Sequence, residues 1–261
     1  MRVCTLASSS SGNCTVVSQG ETHLLIDAGI SLRRIRDGLR HIGLTPGDLS
    51  CVLVTHDHID HISGVRVLLK YHSIPVYSSY GAACGISAAW PETSPYLNIF
   101  ETGAELDMSS MTVRSFSTPH DASGSVGFTV HAGGVKLVYV TDLGYVTDEI
   151  VGAALGADIA VIEANHDREM LKNGQYPPFL KKRILSKNGH LANNDSADFA
   201  VRLAASGSRY ISLVHLSSEN NTPELARRTV GTALSGAGFI AGKDVDLDVA
   251  PRDVTGRIYE V

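Results

Sequence analysis

Thr55-His56-Asp57-His58-Ile59-Asp60-His61 is the stretch on which the reading of this chain turns. It follows Cys51-Val52-Leu53-Val54, a short apolar run that reads as a buried strand ending where the histidines begin. Three imidazoles and two carboxylates in so short a turn are not expected to fold onto themselves as a helix or a ladder, so they are offered together to a guest outside the backbone. A divalent cation is the natural guest. Neutral imidazole nitrogen and carboxylate oxygen suit zinc, manganese or iron, and the donors are numerous enough for more than one ion. The competing reading is a polar surface loop.

The rest of the composition frames that loop. A chain of 261 residues, 43% hydrophobic and 19% charged with 25 glycines, is expected to fold as one α/β domain over residues 1–261 with many tight turns. A net charge of −5 argues against a protein that coats nucleic acid with its whole surface, though it allows a local basic groove. Cys4, Cys14, Cys51 and Cys84 form no C-x-x-C pair and sit among apolar or small residues, as reduced core cysteines do. The first residues run straight into a strand, with no signal-like apolar region and no membrane-length span, so a cytoplasmic protein is expected.

Taken in order, residues 2–6 and 14–18 read as strands joined by a Ser/Gly/Asn turn that could hold an anion or serve only as a connection. A third strand, 23–26, ends at Asp27-Ala28-Gly29. A helix then follows with Leu32, Ile35, Leu39 and Ile42 inward and Arg33, Arg36 and Arg40 on the solvated face. After the central loop come a helix over 63–71, a strand over 74–78, a less legible helix and Pro-rich stretch over 80–95, and a hairpin over 106–118.

The hairpin 125–131 and 135–140 matters more. Antiparallel pairing folds its two ends together, which brings His120, just before the first strand, to the same sheet edge as Asp142, just after the second. The strands 159–162 and 210–214 likewise end at Glu163 and at His215. Strand after strand thus ends in a ligand or proton carrier, as in α/β proteins that build sites outside the carboxyl ends of their strands. A helix over 195–205 with Asn193, Asn194 and Asp195 as candidate caps, a Pro-started helix after Thr222, and edge strands over 245–249 and 257–261 complete the chain.

The H-x-H-x-D-H loop followed by His120, Asp142 and His215 resembles the metallo-β-lactamase superfamily over the full chain. The resemblance implies an αββα sandwich. It also implies that His56, His58 and His120 hold one divalent ion, that Asp60, His61 and His215 hold a second, and that Asp142 bridges them. The blocks Leu6-Ala7-Ser8-Ser9-Ser10-Ser11-Gly12-Asn13-Cys14, Pro119-His120-Asp121-Ala122, Glu163-Ala164-Asn165-His166-Asp167, Gly189-His190-Leu191 and His215-Leu216-Ser217-Ser218-Glu219-Asn220-Asn221 narrow it. Together they look like the YycJ (WalJ) family, regarded as metal-dependent 5′-to-3′ DNA exonucleases.

In the related tRNA 3′-processing branch, a Gly-His motif supplies a non-ligating histidine assisted by a glutamate, and His190 and Glu163 match those elements. The resemblance therefore implies phosphodiester hydrolysis, with His190 and Glu163, and Asp60 beside the metals, as the catalytic groups. Ser11, Asn13, His166 and Lys182 are the expected substrate contacts, with DNA rather than RNA as partner. His190 could instead merely close a loop, and Lys182 could belong to a solvated helix face. The open alternatives for the whole are a hydrolase of a small cyclic phosphodiester, thioester or lactone on the same scaffold, or a non-catalytic metal- or DNA-binding module. The stretch from Asp142 to His215 is too short for the large inserted domain of the ribonuclease J type.

Overall fold

Most strands of this protein are buried on both faces, which is why they read as near-continuous apolar runs rather than as alternating ones. The computed structural model describes residues 1–261. The first half supplies β1 (Arg2–Ala7), β2 (Cys14–Gln19), β3 (Thr22–Ile26), α1 (Leu32–His41), β4 (Cys51–Leu53), α2 (Ile59–Ile62), α3 (Val65–Tyr71), β5 (Val76–Ser79), α4 (Tyr80–Ala89) and β6 (Leu97–Phe100). The second half supplies β7 (Glu105–Met108), β8 (Met111–Ser117), β9 (Val126–Ala132), β10 (Val135–Val140), α5 (Asp148–Ala154), β11 (Ile159–Glu163), α6 (Arg168–Asn173), α7 (Pro178–Ile184), α8 (Asn193–Ala205), β12 (Tyr210–Val214), α9 (Pro223–Gly236) and β13 (Asp246–Val249). The last strand, β14 (Ile258–Glu260), returns to the first half and pairs antiparallel with β1.

Two seven-stranded sheets result, ordered β14-β1-β2-β3-β4-β5-β6 and β13-β12-β11-β10-β9-β8-β7. Each follows one plan. A meander of antiparallel strands ends at β3 or β10, and from there the strands run parallel through β6 or β13. Side chains of one strand serve two cores: in β11, Ile159 and Val161 join the core between the sheets while Ala160 and Ile162 pack under α8 and α9. Leu25 of β3 packs with Ile35 and Leu39 of α1 on the far side of the other sheet, whereas Leu24 and Ile26 face inward. Three cores separating four layers make this the expected αββα sandwich.

Parallel strands that start at one edge also finish at one edge. The carboxyl ends of β3, β4, β10, β11 and β12 therefore carry Asp27, the histidine-rich loop, Asp142, Glu163 and His215 to the same rim.

The structure departs from the sequence reading in several places. The Asp60-His61 half of the loop does fold onto itself: His58 takes an extended backbone as N-cap, and the N–H groups of His61 and Ile62 return to its carbonyl to close α2. The turn thus presents His56 and His58 from extended chain and Asp60 and His61 from a helical turn. Ala192, not an Asn or Asp, caps α8, because Asn193 is drawn inside to exchange side-chain hydrogen bonds with Asn221. The edge strand β6 was not anticipated, since half-exposed Leu97-Asn98-Ile99-Phe100 lacks a clear periodicity. Cys84 is exposed on α4 rather than in a core; all four cysteines are free.

Backbone contacts, more than side chains, seat the loop. Asn13 N–H donates to the Asp60 carbonyl, Ala28 N–H to the His61 carbonyl and Gly64 N–H to the Ala28 carbonyl, each at 2.8 Å. Such closeness requires Gly29, where a β-carbon would lie 1.6 Å from the Asp60 carbonyl oxygen. Gly29→Ala is expected to destabilise the protein by ~1–3 kcal/mol through overpacking, lowering Tm by ~2–12 °C. Gly152→Ala, with nothing within 4 Å of the new methyl, should instead hold or raise Tm. Thermal unfolding of the two variants checks the contrast.

Candidate metal centre

At the rim, seven donor residues from four stretches of the chain meet. One group comprises His56, His58 and His120 and another Asp60, His61 and His215, the ligand atoms of each group lying within 4.8 Å of one another. Asp142 stands between them, with Oδ1 3.7 Å from His120 Nε2 and Oδ2 3.2 Å from His61 Nε2. These are the seven positions expected to ligate metal, and all seven are together.

Three of the imidazoles are oriented by a partner behind them. His61 Nδ1 donates to the buried Asp27 carboxylate at 2.7 Å, His120 Nδ1 to the Gly189 carbonyl at 3.2 Å and His215 Nδ1 to Glu163 Oε1 at 2.9 Å. Those bonds fix the tautomers, so that the Nε2 lone pairs turn into the cluster. His120 Nε2 and His58 Nδ1 converge to 3.2 Å, and His215 Nε2 lies 3.3 Å from Asp60 Oδ2. His56, whose Nδ1 is 3.1 Å from the Thr55 hydroxyl, keeps a fully buried Nε2 with no hydrogen-bond partner. A buried imidazole nitrogen left unpaired beside two converging ones is what a cation site requires, so the residues fit a divalent metal.

The charges balance internally. Burial pushes His61 down, yet Asp142, Asp27 and Asp60 outweigh it and hold its pKa well above the ordinary value. Burial opposes His215 too, but Asp142, Asp60 and Glu163 lift it to about 10. His56 is driven the other way by burial and by its histidine neighbours, and so stays neutral. Binding a cation requires the protons on His61 and His215 to leave.

Glu163 deserves its place beside the ligands. Against the cost of burial, His190 and His215 pull its pKa down to about 2. Its Oε1 accepts from His190 Nδ1 at 2.8 Å as well as from His215, and its Oε2 accepts the backbone N–H groups of Leu143 and Leu191. His190, 3.6 Å from Asp142, therefore belongs to the same constellation; burial opposes its protonation, but Glu163 and Asp142 raise its pKa.

The expected substrate contacts fare differently. Asn13 is buried, and its amide is committed to the Ser9 carbonyl, Asp60 and His61 Nε2, so it ties the first turn to the metal-fitting loop. His166 is 1% exposed with neither ring nitrogen hydrogen-bonded, and burial holds its pKa down to about 4, so it is a neutral imidazole beneath the surface. Ser11 is exposed and takes a hydrogen bond from Arg252; Lys182 is exposed on α7. Asp57 turns away toward Gly85 of α4. Two contributors went unassigned in the sequence. Asp27 ends β3 just as Asp142 follows β10, and that strand-end position was its available signal. Asp121, adjacent to His120, places Oδ1 3.4 Å from His120 Nε2 while its other oxygen accepts from Arg183.

Comparison with known proteins agrees with this geometry. A family model described as the beta-lactamase superfamily domain matches residues 22–215. The chain is 37% identical over 258 residues to exodeoxyribonuclease YycJ of Bacillus anthracis, covering 97% of each. It is also 37% identical over 261 residues to exodeoxyribonuclease WalJ of Streptococcus pneumoniae, covering 96% of this chain and 94% of that one. The chain belongs to the YycJ/WalJ family of the metallo-β-lactamase superfamily. Among solved structures, Zn(2+)-bound PqqB from Methylobacterium extorquens superposes with a TM-score of 0.75 at 18% identity over 98% of this chain and 100% of that one, a likeness of fold.

For this YycJ/WalJ-family chain the buried Asp27–His61 pair carries a consequence. Removing a carboxylate that orients a ligand typically costs 10–100-fold in metal affinity. Asp27→Ala is expected to weaken zinc retention by about that factor, read by competition with a chromogenic chelator.

Proposed function

We propose that the chain is a dinuclear metal-dependent phosphodiesterase that removes nucleotides from DNA in the 5′-to-3′ direction, acting in the cytoplasm. The observation that carries this reading is Glu163 gripping His190 and His215 at once, which sets a protonated imidazole against the metal-fitting donors. The two 37%-identical relatives are both exodeoxyribonucleases, which supports DNA as substrate.

In this reading His56, His58 and His120 hold one ion, Asp60, His61 and His215 hold the other, and Asp142 serves both. Zinc, manganese and iron all suit such a donor set. Bound there, the ions supply Lewis-acid polarisation of phosphoryl oxygens and acidify water near neutral pH.

The protein's own groups do the rest. Asp60, held by His61, His215 and Asn13, keeps a carboxylate oxygen aimed at the reacting region. His190 approaches the reaction as an imidazolium because Glu163 has taken its Nδ1–H in a 2.8 Å bond, and its remaining N–H protonates the departing oxygen as the phosphorus–oxygen bond breaks. Glu163 stays ionised throughout, since four hydrogen bonds converge on its two oxygens.

Two variants test this. His190→Ala should lower kcat by ~10²–10⁴ while the metal content measured by plasma mass spectrometry stays at the parent level. Asp142→Ala should lose metal from both sites and with it all turnover. The reading is abandoned if the metal-loaded parent releases no nucleotide from 5′-phosphorylated DNA yet hydrolyses a cyclic phosphodiester or a thioester.

A further inference from the structure

His190 also lines a small cavity. Its other polar walls are Ser10 of the β1–β2 turn, Asn165 and Ser217 beyond the ends of β11 and β12, Tyr176 just before α7 and Arg183 on it. The space is about 160 Å³. That is below the ~300–1,000 Å³ of clefts that take drug-sized ligands, so it admits a group of a few heavy atoms and not a nucleoside.

Those walls present hydrogen-bond donors that the fold has left free. Arg183 gives its Nε–H to Asp121 and keeps both terminal amino groups. Ser217 accepts from the N–H groups of Glu219 and Asn220, which leaves its own O–H to donate. Asn165 uses one amide N–H on the His215 carbonyl at 2.9 Å and keeps the other. Ser10 and Tyr176 add hydroxyl groups. Asp121 is the one carboxylate in the lining, and Arg183 already neutralises it. A guanidinium with free amino groups, set among hydroxyl and amide donors, matches the oxygens of a phosphate.

The direction of cleavage decides which phosphate reaches it. As the oxygen of water bonds to phosphorus, the bond from phosphorus to the 3′-oxygen of the terminal nucleotide breaks; the electron pair leaves with that oxygen, which takes the proton from His190. The released unit therefore lies on the His190 side, and the one phosphate it carries is the 5′-terminal monoester. The strand left behind begins with a fresh 5′-phosphate. Resting on the nuclease reading, we propose that this cavity is a receptacle for the 5′-terminal phosphate of DNA, with Arg183 as its cationic partner and Ser10, Asn165, Tyr176 and Ser217 as further donors. A phosphate inside the chain is esterified on both sides and cannot enter, so the cavity selects chain ends over interior positions.

The test uses the metal-loaded full chain and one DNA duplex prepared with a 5′-phosphate, with a 5′-hydroxyl, or with a 5′-hydroxyl and a 3′-phosphate, beside bis(p-nitrophenyl) phosphate. The quantity read is kcat/KM for release of the first unit, a nucleotide from the phosphorylated end and a nucleoside from the hydroxyl end. The parent is expected to favour the 5′-phosphate ~10- to 150-fold, the worth of hydrogen bonds to a charged group, mainly through KM. The hydroxyl end should also show a lag, because its second unit leaves from an end that cleavage has just phosphorylated. Arg183→Ala should bring the preference close to one, and so should Arg183→Ala combined with Asp121→Asn, in which no freed carboxylate can be the cause. Tyr176→Phe should lower it ~2- to 10-fold, as loss of one neutral hydrogen bond does. Equal parent rates at the two ends, a preference that survives Arg183→Ala or is restored by Asp121→Asn, or an equal gain from a 3′-phosphate would each overturn the receptacle. A parent that hydrolyses the small diester but none of the duplexes would instead defeat the nuclease reading beneath it.

Discussion

Three carboxylates, Asp27, Asp142 and Glu163, are buried almost completely at one rim of the sandwich, and the local structure is arranged to tolerate them. An ionised carboxylate removed from water is costly unless hydrogen bonds and opposite charge surround it. Here the compensation comes from imidazoles and backbone N–H groups that must themselves converge. Asp27 takes His61 and the N–H and hydroxyl of Thr55, Glu163 takes His190, His215 and two backbone N–H groups, and Asp142 lies among four histidines. The anions and the histidines are therefore one system. Removing a member exposes the others to an unbalanced charge.

The backbone is bent to serve that system. Asp27, Asp142 and His215 adopt left-handed conformations with φ of 59°, 57° and 58°, a region that costs a residue with a β-carbon ~1–3 kcal/mol. All three stand where a strand leaves its sheet. The turn lets the chain exit at once and swings the side chain back over the strand end. Glycine would relieve the strain but would delete the functional group, so strain and chemistry are located at the same residues. The two apolar cores on the outer faces and the third between the sheets supply the rigidity that holds such positions.

Legibility differed by residue. The loop from His56 to His61 was readable because its donors lie within a few positions of each other. His120 and Asp142 were placed together by simple hairpin geometry, which the β9–β10 register supports. Asp27 was passed over because a lone aspartate after a strand looks like a turn residue until His61 is seen at 2.7 Å. Asn13 and His166 were read as substrate contacts from their residue type and motif, but polarity in a sequence says nothing about depth, and packing from distant segments buried both. The second partner of Glu163, His215, lies 52 positions away and left no local trace.

By itself, then, the sequence determined the order of buried strands, the chemistry placed at their ends and the kind of guest those side chains suit. These follow from periodicity and residue type, which are local properties. Only the tertiary structure decided which nitrogen of each histidine faces the cluster, which carboxylates stand behind the ligands and which polar residues are hidden. Those are set by contacts between segments far apart in the chain, and a hydrogen bond between such segments exists only once the strands that carry them have paired.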